Sequence, residues 1–560
     1  MSPAIDLLLS TPAADTDAAT TAGPSKPVDP KQHDLPPRLA SFSDVEAAGR
    51  RLGFQPPPEH LEDYQTLLRA TDACAAEIMA LPDFVPTVDF ERFPRQNVHR
   101  PADEENKLRG WSWKAMVAGG NDGILAGKTV CLKDTICLAD VPLCFGTSAF
   151  TDYKPTTDAT AVTRVLESGG TIVGKATCEN FSHGPASFSS PHGPVQNPYA
   201  HGFSTGGSSS GCGALVGSGE VDMAIGGDQG GSIRIPASLC GIVGLKPTFG
   251  LVPYTGVLSS DTSVDHIGPM TQTVYDAALL LEAIAGYDSI DDRQLGAPLP
   301  TDVPKYSAAV LTARKNGIKG IKIGVLREGF MHKSLDKAVD ESVRAAVAKF
   351  KQLGAIVEEV SCPLHAHTEA LCHITNKFAS AGTRIGRQVG RRGHYANDYW
   401  GQLLPWTQDK WDKAKYHVSG TAMSAEYGWP AYPTVYGRSM NIIRKMKLDY
   451  DALLETYDAI VMPTVTQAPR RHVGPDAGPL AWARATPGII SNTAASNLTG
   501  HPTVTIPCGF IPPSPADVKS PDDEQIKLPC GMMLMGKLFG EEKLLSIADA
   551  WETNFKWKQL

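Results

Sequence analysis

An α/β fold, built on a large mostly parallel or mixed sheet with helices on both faces, is what residues 91–560 predict. Strand and helix patterns alternate along this stretch, and 42% apolar content over a 560-residue chain supplies ample core. A third observation sets the N-terminus apart. Two helical patterns with no strand between them predict a helical extension over 41–90, after a flexible segment 1–40 rich in Ala, Thr, Asp and Pro.

In chain order, only Ile5 to Leu9 interrupts that first segment with an apolar patch. Ser43-Asp-Val-Glu46 reads as a capping box opening a short helix. Glu59 to Leu81 is a second helix, with Leu61, Tyr64, Leu68, Ala75, Ile78 and Leu81 on one face and Pro82 as its stop. A strand follows at Thr129 to Leu132, a helix at Ala159 to Ser168, a strand at Thr171 to Val173, and a helix at Val274 to Ala285 closed by Gly286. Further on come strand Ile321 to Leu326, helix Leu335 to Leu353 ended by Gly354, and strand Ala355 to Val360. Residues 361–448 break the rhythm with Trp, Tyr and His in a helical region. Such an insert is where a pocket would be shaped and a substrate selected.

The chemistry concentrates between residues 208 and 232. Ser208 and Ser232 lie in two separate glycine-rich turns, with Lys133 upstream in Val130-Cys-Leu-Lys-Asp-Thr135. In Gly227-Gly-Asp-Gln-Gly-Gly-Ser-Ile-Arg-Ile-Pro236, successive glycines let several N–H groups turn toward one point, which is how backbone amides form an oxyanion hole beside a serine hydroxyl. A serine attacks only when a neighbour takes its proton. Lysine can do so only when neutral, which requires burial. Lys133 follows the apolar run Val130 to Leu132, with Asp134 the one charged neighbour, so a strand-end ion pair with Asp134 is the competing role.

Residues 120–288 resemble the amidase signature family, and Gly206 to Gly250 matches its defining motif almost throughout. Asp458 to Thr464, Asn497 to Pro502 and Leu528 to Gly536 carry weaker matches, so that the resemblance spans roughly residues 90 to 560. It implies the amidase signature fold with residues 91–560 as its catalytic domain. It also implies Ser232 as nucleophile, Ser208 as a bridging serine after a cis peptide from Gly207, and Lys133 as base. The backbone amides of Gln229, Gly230, Gly231 and Ser232 would hold the oxyanion, Ser209 would support the bridging Ser208, and Asp228 and Arg234 would hold the loop, as an alternative to a simple surface pair. The N-terminal extension and the Asp228-Gln229 pair resemble the nitrile-pathway amidase and urethanase-like subgroup. This subgroup implies small aliphatic or aromatic amides cleaved to acid and ammonia, in a cytoplasmic homodimer without cofactor or metal. Carbamates and esters pass through the same tetrahedral intermediate, so a urethanase or esterase is the alternative. A role in passing ammonia to a partner chain fits less well with the extension and the insert, and an inactive scaffold fits poorly with three triad positions present.

Rival motifs have their own expectations. Gly207-Ser-Ser-Ser-Gly211 has the form of a nucleophile elbow on Ser209, but Tyr199 to Gly206 before it reads as loop where a strand is needed. Gly169-Gly-Thr-Ile-Val-Gly-Lys175 has phosphate-loop spacing, yet Ala176 stands where Ser or Thr would bind magnesium. Cys362, His365, His367, Cys372 and His373 fall close together without common zinc spacings, which favours scattered helix-face residues near a pocket. His183 and His501 are expected near the pocket but not as bases, and Met532, Met533 and Met535 as core.

A net charge of −8 without a long basic run gives no reason to expect nucleic acid or an anionic membrane as partner. The expected partner is a small amide or carbamate. Eleven cysteines, six of them (Cys131, Cys137, Cys144, Cys178, Cys212 and Cys240) in the motif region, suit reduced thiols in a cytoplasmic setting. No apolar run approaches a membrane span, and the first ten residues lack the form of a signal peptide.

Overall fold

The computed structural model describes residues 39–150, 153–474 and 477–560. The expected flexible segment and its Ile5 to Leu9 patch lie outside the described residues, apart from Leu39 and Ala40. The chain divides between Val85 and Pro86 into two compact units.

The first unit is a helix pair, Phe42–Leu52 and Leu61–Met79, the second led in by a 3₁₀ turn at Pro58–His60. The capping box forms two residues earlier than expected: Ser41 is the N-cap, its N–H reaching Asp44 Oδ2 at 2.9 Å while its hydroxyl accepts from the Asp44 N–H. Asp44 is the first acid placed at the right offset from a serine that can leave the helix. Phe54 meets Tyr64 edge-on at 5.8 Å, and Asp72 accepts from the Ala40 N–H at 2.7 Å. The apolar face expected on the second helix is not sealed within the pair, since Ile78 and Leu81 stay mostly exposed and Ala70 is its one buried residue.

Among its described residues the second unit has fourteen strands: β1 (Gln96–His99), β2 (Trp111–Val117), β3 (Thr129–Lys133), β4 (Thr171–Ala176), β5 (Gln196–Asn197), β6 (Ala200–Ser204), β7 (Met223–Asp228), β8 (Val243–Lys246), β9 (His266–Thr271), β10 (Lys322–Leu326), β11 (Ile356–Val360), β12 (Ala459–Pro463), β13 (Thr503–Ile511) and β14 (Leu528–Met535). Twelve make one sheet in the order β1-β2-β4-β3-β7-β9-β8-β13-β14-β12-β10-β11, and β5 pairs with β6 apart from it. The sheet is mixed. The pairs β3–β4, β3–β7, β10–β11 and β10–β12 run parallel, and the other pairs antiparallel. Strands β7, β8, β9, β12 and β14 are buried at every position, as strands covered on both faces must be.

Most expected elements stand within a residue or two of their places, including helices Thr160–Glu167, Val274–Ile284 and Lys337–Gln352. β4 runs past Val173 to Ala176, which makes Lys175 a strand residue rather than part of a phosphate loop; its buried ammonium donates to Ile136 O and lies 4.0 Å from Asp134. Tyr199 to Gly206 was expected as loop, and the structure corrects this: Ala200–Ser204 is strand β6, held by a two-residue partner too short to leave a period in the sequence. Residues 361–448 are helical as expected, with helices Thr368–Arg384, Asn397–Leu403, Gln408–Lys413, Tyr416–Ala431 and Val435–Thr456. Met532, Met533 and Met535 are fully buried in β14.

Three adjacent parallel strands do the positioning. β4, β3 and β7 all end at the same edge of the sheet, with Lys133 opposite Ala176 and Leu132 opposite Ile225. The loops that leave this edge meet there, as they do at the carboxyl ends of strands in open α/β sheets.

Candidate active site

Lys133 is the last residue of β3 and is fully buried. Its Nζ lies 2.9 Å from Ser208 Oγ and donates to Gly227 O at 3.1 Å. Burial pulls its pKa below the ordinary lysine value, while nearby thiols and the carboxylates of Asp228 and Asp265 pull the other way. Asp134 takes no part in this. It turns to Ser112 Oγ at 3.1 Å and the Cys144 N–H at 3.2 Å, with Lys175 nearby, so the ion pair weighed for Lys133 is not made.

Ser208 follows a cis peptide from Gly207. Its carbonyl accepts from the Glu179 N–H at 3.1 Å, and its hydroxyl also lies 3.1 Å from Ser182 Oγ. Gly207 is confined by its neighbours, since a Cβ there would fall 2.4 Å from Ala186 O and 2.8 Å from Gly184 O. The helix Ser210–Ser218 starts at once and is itself tightly seated, a Cβ on Gly211 falling 2.3 Å from Gly110 O.

Ser232 lies in the loop that leaves β7. It is half-buried, and among the described residues its hydroxyl has no hydrogen-bond partner. Its carbonyl accepts from the Ser209 N–H at 3.3 Å, so the two serine turns are tied through backbone. Ser209 adds a second tie, its Oγ donating to Gly227 O at 3.0 Å and accepting from Gly227 N–H at 3.2 Å. A buried hydroxyl committed in both directions to the backbone of Gly227 is no exposed elbow nucleophile, even though a strand does precede it.

Four amides of this loop were expected to face an oxyanion, and the geometry leaves three. Gly231 N–H is taken by Asp228 Oδ1 at 2.6 Å. The amides of Gln229, Gly230 and Ser232 have no acceptor among the described residues. Gly231 has φ +136°, and a Cβ on it would fall 2.4 Å from Thr493 Oγ1, so glycine is required there. The loop carbonyls are anchored in turn: Thr493 Oγ1 donates to Gly230 O at 2.6 Å and Ile235 N–H to Gly231 O at 2.7 Å.

Asp228 and Arg234 form no surface pair. Both are fully buried and joined by two bonds, Nε to Oδ2 at 2.9 Å and Nη2 to Oδ1 at 3.0 Å. Arg234 also reaches Thr493 O and Ser496 Oγ at 2.7 Å and Asn497 Oδ1 at 2.6 Å. Burial alone would raise the Asp228 pKa, but the Arg234 guanidinium and the bond from Asn497 hold it well below the carboxylate range. This fork clamps the loop to the helix Thr493–Thr499.

One neighbour of the site gives little sign of itself in the sequence. Glu179 is buried, accepting from Ser189 N–H at 2.7 Å, Ser189 Oγ at 2.5 Å and Ser210 Oγ at 2.8 Å, and burial raises its pKa to about 7 against those bonds. Its isolation in a neutral stretch was the one available signal. Cys372 sits over the loop, 3.7 Å from where a Cβ on Gly230 would stand. The other candidates of its segment scatter: His365 is held between Tyr450 Oη at 2.6 Å and Asn492 Oδ1 at 3.0 Å, while His367 and His373 are exposed. His183 borders the site next to Ser182, bonded to Arg384 Nη2 at 3.0 Å and stacked on His417 at 5.3 Å. His501 instead pairs with Thr499 and Asp451.

The Amidase family profile matches residues 97–545. The chain belongs to the amidase signature family. It is an enzyme of the class that hydrolyses C–N bonds in amides. An enantioselective amidase of Rhodococcus rhodochrous is 34% identical over 471 residues, covering 82% of this chain and 86% of that one. The A subunit of the glutamyl-tRNA(Gln) amidotransferase of Gloeobacter violaceus is 33% identical, covering 79% and 86%. Among solved structures, the A subunit of the same amidotransferase from Thermotoga maritima superposes with a TM-score of 0.62 at 29% identity, over 79% of this chain and 86% of that chain. The native peptide amidase of Stenotrophomonas maltophilia gives 0.60 at 26%, over 78% and 84%. No helix among the described residues is long and apolar enough to cross a membrane.

Proposed function

We propose that this amidase signature enzyme cleaves small aliphatic or aromatic amides to acid and ammonia through an acyl-enzyme on Ser232. The observation that carries the reading is the buried Lys133 amine at 2.9 Å from Ser208 Oγ, beside a loop whose serine has an uncommitted hydroxyl. Ser232 Oγ attacks the amide carbon as its proton passes to Ser208 Oγ and the Ser208 proton passes to neutral Lys133. The oxyanion is met by the amides of Gln229, Gly230 and Ser232. The relay then runs backwards to protonate the leaving nitrogen, ammonia departs, and water repeats the cycle to release the acid. Ser208 and Ser232 side chains are not hydrogen-bonded to each other here, and catalytic bonds of this kind tighten on substrate binding. The clamp of Asp228 and Arg234 holds Ser232 in place without touching the reacting atoms.

Carbamates and esters would use the same groups. We place the enzyme in the cytoplasm, and we propose a homodimer, supported by the exposed Leu67, Ile78 and Met79 of the N-terminal helix pair and tested by light scattering. The test of the reaction is intact mass after brief exposure to a fluorophosphonate, with peptide mapping, alongside ammonia release from benzamide, propionamide and ethyl carbamate by the chain alone. One adduct on Ser232 with ammonia release is expected. An adduct on Ser209, or ammonia release only with an added partner protein, overturns the reading.

A further inference from the structure

The hydroxyl of Ser182 touches the relay directly. Ser208 Oγ has two hydrogen-bond neighbours among the described residues, Lys133 Nζ at 2.9 Å and Ser182 Oγ at 3.1 Å. Ser182 is buried, and its hydroxyl has no other hydrogen-bond partner among the described residues.

Reaching that position takes an uncommon backbone. Phe181 and Ser182 are consecutive residues with φ of +53° and +52°, in the left-handed region that residues with a Cβ rarely enter and glycine enters freely. The surroundings hold them there from several sides. Ser182 N–H donates to Glu179 O at 2.7 Å and Phe181 N–H to Phe145 O at 2.9 Å. Glu179 N–H donates to Ser208 O at 3.1 Å, so the turn is tied to the same residue that its hydroxyl meets. The buried Phe181 ring lies edge-on to Phe145 at 5.8 Å and tilted against Trp406 at 5.5 Å. Asn180 fastens the start of the turn, donating from Nδ2 to Gly146 O at 3.1 Å and accepting from Lys415 N–H at 3.0 Å. Strain of this kind persists where packing over-determines it, and it collects at sites where a side chain is aimed.

The hydrogens of the relay give that aim a purpose. A serine hydroxyl has one hydrogen and two lone pairs. Ser208 must pass its one hydrogen to neutral Lys133, whose amine donates to Gly227 O at 3.1 Å and keeps its lone pair for the transfer. One lone pair of Ser208 Oγ has to stay open for the Ser232 proton. A Ser208 hydroxyl turned toward Ser182 would carry its hydrogen away from the amine and stop the transfer. The Ser182 hydrogen has no other acceptor, and by donating to Ser208 Oγ it fills the second lone pair and leaves the Ser208 hydrogen facing Lys133.

We propose that Ser182 is a positioning residue for the bridging serine, its hydroxyl donating to Ser208 Oγ and so turning the Ser208 hydrogen toward Lys133. Ser182 itself gives up no proton. Its donation also stabilises negative charge that builds on Ser208 Oγ while one proton leaves and the other arrives, in acylation and deacylation alike. This rests on Ser232 being the nucleophile.

The test measures kcat and KM for ammonia release from whichever of benzamide and propionamide the wild type turns over faster, together with the rate of fluorophosphonate labelling at Ser232. It compares full-length wild type, Ser182→Ala and Ser182→Gly. Alanine keeps the Cβ and removes only the hydroxyl, whereas glycine suits the left-handed backbone and so secures a folded variant. Loss of a donor from a buried network should lower kcat by about tenfold in both variants, with labelling slowed by a similar factor. KM should stay within about threefold, since an interaction used in the chemical steps and not in binding moves kcat alone. Ser182→Gly should melt no lower than Ser182→Ala, which separates the loss of rate from any loss of fold. A kcat within about twofold of wild type in either folded variant, a kcat that rises, or a change confined to KM overturns the proposal. Peptide mapping keeps this apart from the assignment of the nucleophile. Wild type labelled at Ser232 with unimpaired variants removes only the role of Ser182. An adduct on Ser182, or no adduct and no ammonia release, removes the nucleophile and the inference with it.

Discussion

The amine of Lys133 and the hydroxyl of Ser208 stand 2.9 Å apart with both side chains fully buried, although 75 residues of chain separate them. A charged lysine in that position would be left without a carboxylate partner, because the adjacent Asp134 faces Ser112 and Cys144. Burial thus disfavours the charged form of Lys133, as the proposed proton transfer from an alcohol requires.

Removing the members of this chain should separate their roles. Ser232→Ala is expected to abolish ammonia release, and Lys133→Ala to lower kcat/KM by about 10² to 10⁴, the usual worth of a positioned base. Cys212→Ala, at a buried thiol whose nearest acceptor is Ile225 O at 3.9 Å, should keep most activity. Steady-state ammonia assays on folded variants check all three, and near-normal turnover in Ser232→Ala would sink the assignment.

The acid limb of the pH profile should belong to the relay. Lys133 accepts a proton only when neutral, and burial lowers its pKa, so kcat/KM should rise with pH and level off below the free-lysine value of about 10.4. The midpoint reports Lys133 and the two serines jointly rather than the lysine alone. A profile measured from pH 5.5 to 10.5 that stays flat until pH 10 contradicts a buried lysine base.

Breaking the loop clamp should cost stability as well as rate. Asp228→Ala leaves the Arg234 guanidinium buried and uncompensated, for which about 3 to 5 kcal/mol is typical. Urea unfolding measures it. Asp228→Ala combined with Arg234→Met should cost less than the two single losses added, since the double change removes both charges; strict additivity would show that the pair does not act as a unit.

Glu179 supplies a stability test with a definite sign. Its folded-state pKa is raised to about 7, chiefly by burial, above its ordinary value, so the folded chain holds a proton that the unfolded chain has released. Its contribution is present below the unfolded value and is lost as pH rises to about 7. The stability of wild type relative to Glu179→Gln should thus fall over that window by roughly 3 kcal/mol and then stay level. Melts in matched buffers across it decide the matter, and a relative stability that climbs with pH refutes the shift.

How much of this was legible depended on how local each feature is. Strands such as Thr129–Lys133 and helices such as Lys337–Gln352 announce themselves because apolar period and end signals lie within a dozen residues. β6 did not, because its partner β5 is two residues long and lends it no pattern. The N-cap slipped from Ser43 to Ser41 because both serines precede an acid at the capping offset, and only backbone geometry chooses between them.

The site divides along the same line. The sequence alone determined which residues were candidates, since the glycines around Ser208 and Ser232 and the apolar run before Lys133 are contiguous signals of close backbone approach and burial. Which amides stay open was decided by tertiary structure, because Asp228 turns back on its own loop and takes the Gly231 N–H once Arg234 is locked against Thr493, Ser496 and Asn497, more than 250 residues away. The same holds for Glu179, an unremarkable residue in its own segment that becomes buried and bonded to Ser189 and Ser210 only in the folded chain, since burial is what gives an unpaired charge or hydrogen bond its worth.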